Sequence, residues 1–138
     1  MLTWFPSPYP DELFYSVLCR YYVSSGVKEH YLVKKQLFGT KAGVKMATLY
    51  PNATVHAALL QLPDGVFDER DMILRHTPFL YYARMYPQEE REVLLDDLVQ
   101  GRSRTPTHLW KTFPKDNYAL RYCPSCVQED TQIYGEPY

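Results

Sequence analysis

The sequence predicts a mainly α-helical protein, and three observations carry that reading. Apolar residues recur at helical spacing in several segments, beginning with Leu13, Phe14, Val17, Leu18 and Tyr21. Gly26, Gly39 and Gly101 each stand where such a segment stops. With 138 residues, 46% of them hydrophobic, the chain is long enough for one domain with its own core and too apolar to be disordered.

The elements follow in order. Residues 1–10 form an extended aromatic and proline arm, because Pro6, Pro8 and Pro10 fix φ and bias each preceding residue towards extended geometry. A helix is expected from Asp11 to about residue 24, with Asp11 and Glu12 in its first turn, where the macrodipole favours acids. A second spans KEHYLVKKQLF and ends at Gly39; a basic loop follows through Lys45. Asn52 reads as the N-cap of a third, NATVHAALLQL, with Val55, Leu59 and Leu62 on one face and Pro63 as its limit. A helix opening at Asp68 is interrupted by Pro78, after which FLYYARMY is an aromatic run of either type. PQEEREVLLDDLVQG is the clearest helix, with acids at its start, Val93, Leu94 and Leu98 on one face and Gly101 as the stop. The helical domain is expected to extend over residues 11–117, and residues 118–138 form a separate module in which a short extended segment leads into CPSC and a helix begins after Cys126.

Three short helices in a row resemble a helix-turn-helix segment, an arrangement of DNA-binding domains. The third has only His56 and Gln61 to offer a base edge, which argues against sequence-specific readout from it. Net charge is −1, which argues against a domain whose main work is gripping phosphates. Positive charge is nevertheless concentrated at Lys28, Lys34, Lys35, Lys41 and Lys45. Two readings of that patch stand side by side: a nucleic-acid footprint, or an ordinary solvated helix face and loop. Thirteen tyrosines and eleven prolines suit short packed segments or a protein-binding surface.

No apolar run reaches the roughly 18 residues needed to span a bilayer, and the N-terminus lacks a signal-peptide pattern, so a cytoplasmic location is expected. Ser16, Ser24 and Ser25 have no base beside them in any catalytic pattern and there is no GxxxxGK[ST] loop, so catalysis has no candidate residue. Cys19 lies alone in an apolar helical pattern and reads as an inert core residue. Cys123 and Cys126 are different, because a CPxC turn has three chemical readings. A redox pair needs a βαβ context that the helical pattern upstream does not supply. A metal-free structural pair is possible, and a zinc knuckle is the favoured reading. Closed zinc sites have four ligands, yet Cys19, His30, His56, His76 and His108 are all single, none at CxxH or HxxxH spacing. The chain is therefore expected to hold only the first half of a zinc-binding module.

FPSPYPDELFYSVLCRYYVSSG near the start and LRYCPSCVQEDTQIYGEPY at the end resemble the opening and the first zinc half-site of the TnsD/TniQ family of transposition target-selection proteins. The resemblance implies that Cys123 and Cys126 are half of a CCCH zinc site completed by a later CPxH, beyond residue 138. It also implies a non-enzymatic adaptor, one that links target DNA, or an RNA-guided complex on DNA, to the AAA+ regulator TnsC, through which the transposase is recruited. The family's N-terminal region is implicated in engaging that ATPase. Trp4, Phe5 and Tyr9 would suit an arm laid into a partner's surface, or equally would pin the N-terminus to the domain's own core. The alternative function is a zinc-containing helix-turn-helix domain that holds target DNA directly through the lysines; a CxxC oxidoreductase is a distant third.

Overall fold

A computed structural model describes residues 2–39, 53–102 and 123–135 of the chain. The described residues hold seven helices and no strand, so the protein is mainly α-helical. We number them α1 (Phe14–Ser24), α2 (His30–Phe38), α3 (Ala53–Leu59), α4 (Glu69–His76), α5 (Phe79–Ala83), α6 (Gln88–Val99) and α7 (Pro124–Tyr134). The chain divides into two compact units, Met1–Thr105 and Pro106–Tyr138.

In the first unit, α3 packs against α2, α4 and α6, and α4 packs against α5 and α6. The core is built from Val17 and Leu18 of α1, Val33 and Leu37 of α2, Val55 and Ala58 of α3 and Ile73 of α4, together with Phe5 from the N-terminal arm. Phe5 and Phe14 lie with ring centroids 6.5 Å apart, and Phe5 meets Phe67 edge-on at 5.9 Å.

Helix α1 begins three residues later than the sequence suggests. Asp11 has φ +62°, a left-handed conformation that no helical turn accommodates. Glu12 bends back so that its carboxylate accepts the Tyr9 N–H at 2.9 Å. The two acids therefore build the turn before the helix, and none lies in its first turn. The second helix starts at His30 and stops at Gly39, with φ +64°. The Asn52 cap, Lys41, Lys45 and the link after Arg102 lie outside the described residues.

The Pro78 interruption is real and short. The Asp68 side chain caps α4 by accepting the Asp71 N–H at 2.8 Å, and Pro78 stands as the N-cap of α5, so FLYYA is helical. On α6 Leu98 is buried and Leu94 packs against the core, as expected, but the face also takes in Leu95, which is buried, and leaves Val93 61% exposed. Burial of Leu95 and Leu98 sets this face, and on the exposed flank the Arg70 guanidinium of α4 reaches Glu92 and, at 2.8 Å, Asp96, one turn apart on α6.

The second unit is described through α7 alone. Its helix begins at Pro124 rather than after Cys126, because proline at the first helical position lacks only an N–H that would be unsatisfied anyway. Gly135, with φ +78°, ends it.

Candidate functional site

The N-terminal arm is held against the first unit at four points. The Leu2 N–H donates to the Gln61 carbonyl just beyond α3. Trp4 stacks on Tyr21 with centroids 6.0 Å apart and keeps 51% of its surface exposed. Phe5 is buried, with Tyr21 5.7 Å away. The Arg20 guanidinium lies 3.8 Å over the Tyr9 ring and also donates to the Ser7 carbonyl and the Glu12 carboxylate. Of the three aromatics singled out in the arm, Phe5 thus faces inward, Tyr9 is half-buried under Arg20, and Trp4 alone presents a largely free face.

Glu12 is the residue that sequence reasoning missed. It is 1% exposed, and one carboxylate oxygen binds Tyr9 and Arg20, while the other, Oε1, is buried without a hydrogen-bond partner among the described residues. Its backbone carbonyl accepts the His76 Nδ1–H at 2.7 Å, which joins the arm's last turn to the end of α4. No spacing rule points to this pairing, because residues 12 and 20 are separated by a turn and most of a helix.

The lysines are divided between two settings. Lys35 is exposed near the C-terminal end of α2, where a cation complements the helix dipole; Lys34 beside it is half-buried. Lys28 is exposed, and its carbonyl accepts the Tyr22 hydroxyl at 3.2 Å. Tyr22 stacks on His30 at 4.5 Å. Lys41 and Lys45 lie outside the described residues, so the five are not seen together.

Cys123 is the N-cap of α7, and Cys126 lies in its first turn; both are exposed. The Cys126 backbone N–H on the Cys123 sulfur, then the Cys126 thiol and the Ser125 N–H, hold the Cys123 thiol below its usual range. The same thiol contact, followed by the charge on Cys123, pushes the Cys126 thiol up. Two exposed sulfurs in one helical turn make a suitable half of a tetrahedral zinc set. Among the described residues no group of three or more His, Cys, Asp or Glu side chains is placed to hold a metal. His56 instead bonds Glu69 at 3.0 Å, His76 is taken by Glu12, and His108 lies outside the described residues. Cys19 is half-buried in α1, its thiol raised chiefly by burial.

A cleft of about 160 Å³ lies past the end of α3, lined by residues that include Leu60, Pro63 and Glu69. It is smaller than the roughly 300 Å³ at which small-ligand sites begin. No helix among the described residues is long and apolar enough to cross a membrane.

Comparison with known proteins places the class. The chain matches the TniQ family model over residues 3–138 and belongs to that family. It is also similar to the transposon Tn7 transposition protein TnsD of Escherichia coli, with 28% identity over 137 residues. That alignment covers 97% of this chain and 27% of TnsD, so the chain spans about a quarter of the length of that relative.

Proposed function

We propose that this chain is a non-enzymatic target-selection adaptor of a Tn7-like transposition system. In this reading it connects target DNA, or an RNA-guided complex bound to DNA, to the AAA+ regulator TnsC. The observation that carries the proposal is the TniQ match along almost the whole chain, supported by the similarity to TnsD. The arm is the part offered to the ATPase. Trp4 is its contact residue, since an exposed indole backed by Tyr21 is an anchor that is already ordered before binding. Phe5 and Tyr9 serve by holding the arm in place.

Zinc is the proposed cofactor, with Cys123 and Cys126 as two of four ligands and the other two expected outside residues 1–138. Bound there, it would crosslink the start of α7 to a second half-module and supply folding free energy, with no catalytic step.

A second reading, direct contact with target DNA, is favoured by the exposure of Lys28 and Lys35. The two are separated by measuring binding of the purified chain to its TnsC-type ATPase and to duplex DNA. Binding to the ATPase that Trp4→Ala weakens by about tenfold or more supports the adaptor. Absence of ATPase binding, with DNA affinity that falls steeply with salt and with Lys34→Ala plus Lys35→Ala, overturns it in favour of the second reading. For the metal, zinc content is compared between this chain and one extended by about 40 residues, enough for a whole four-ligand module. Stoichiometric zinc only in the longer protein supports the divided site, and full zinc in the shorter one overturns it.

A further inference from the structure

Helix α5 is apolar on both sides. Phe79 and Ala83, one turn apart, face the core and are buried. On the opposite side Leu80 is 55% exposed, Tyr81 60% and, in the turn that follows, Met85 81%. A surface helix of a monomeric domain normally carries polar residues outward, and a helix that is hydrophobic all round is normally covered on all sides. One exposed cation, Arg84, lies in the same stretch of chain as these side chains. The Arg84 guanidinium lies 4.5 Å over the Tyr81 ring, and among the described residues it has no carboxylate partner. Tyr81 is itself braced edge-on by Tyr82 at 5.1 Å.

We infer that this face, Leu80, Tyr81, Arg84 and Met85, is a docking surface for a segment of a partner protein that presents a short apolar stripe with a carboxylate beside it. Tyr, Met and Arg are the residue types enriched where protein interfaces are buried. A cation already ordered on an aromatic face pays little conformational entropy to take a carboxylate, and in a patch that becomes dry on binding the pair is stronger than at an open surface. The charge pattern favours this occupant over a nucleic-acid backbone. Glu89 and Glu90 open the next helix and are exposed, so a run of phosphates would meet repulsion where a single carboxylate directed at Arg84 would not. This surface shares no residue with the arm or with the CPSC turn, and the inference does not depend on the proposed function.

The probe is a fluorescent amphipathic peptide of about 15 residues, long enough to be helical, with leucines at i, i+3, i+4 and i+7, one glutamate beside that stripe and glutamines elsewhere. A twin carries lysine in place of the glutamate. Polarisation titrations with the 138-residue chain are expected to show saturable binding of the glutamate peptide. Tyr81→Ala and Arg84→Glu should each weaken that binding by about tenfold or more, while Arg84→Glu gains affinity for the lysine twin. All these positions are exposed, and unchanged circular dichroism and melting temperature of the variants confirm that the fold is intact. Equal binding by wild type and both variants, or no saturable binding of the glutamate peptide, overturns the inference. So does a wild-type self-association in sedimentation that Arg84→Glu abolishes, which would assign the face to a second copy of the chain.

Discussion

The Arg20 guanidinium donates to the Glu12 carboxylate at 2.8 Å, with the Glu12 side chain fully shielded from solvent and Arg20 16% exposed. This pair joins the arm to α1, and the Tyr9 N–H completes it. A buried carboxylate tolerates its desolvation only while its partners remain. Arg20→Met is therefore expected to cost about 3 kcal/mol in urea unfolding. Glu12→Gln combined with Arg20→Met should recover much of that loss, because no uncompensated charge is left. An unchanged midpoint for Arg20→Met would show that the pair does not hold the arm.

The α6 face gives a paired test. Leu95→Ala, at a side chain 2% exposed, should lose about 2–4 kcal/mol, and Val93→Ala should stay within about 0.5 kcal/mol. Chemical denaturation of the two variants reads the rotation of the helix directly; similar losses at both would contradict it.

Gly101 closes α6 with φ +64°, and a Cβ there would stand 2.4 Å from His56 Cδ2. Gly101→Ala combines left-handed strain with a collision, and a loss of about 2 kcal/mol or more is expected in thermal melts. Introduced into a His56→Ala background, which lacks the ring, Gly101→Ala should cost only the part due to left-handed strain.

Cysteine reactivity depends on both exposure and pH. Burial raises the Cys19 thiol, and the nearby Glu12 charge adds to the shift, so less of it is thiolate at any given pH. Mass-spectrometric mapping of iodoacetamide adducts should find Cys19 modified last, after the exposed Cys123 and Cys126. Its rate should still be rising with pH at about pH 10, where that of an ordinary thiol has nearly levelled off. Early labelling of Cys19 would mean that α1 opens locally.

Information local to the chain was enough for the helical class, for the stops at Gly39 and Gly101 and for a helix opening at Asp68, because each depends on residues within one or two turns of one another. Tertiary structure decided the rest. Glu12 reads as a first-turn acid until Arg20 and Tyr9 draw it into a separate turn. Of Val93, Leu94 and Leu98, spaced as one face, only the last two meet the core, and Leu95 takes the place expected of Val93 because the packed neighbours of α6 lie on that side. Phe5 and Trp4 are neighbours of the same chemistry, yet one is buried and the other half free, because an extended chain points successive side chains in opposite directions and only the packed α1 surface selects which goes in. Periodicity reports that a face is apolar; which neighbour it meets depends on contacts between residues far apart in sequence.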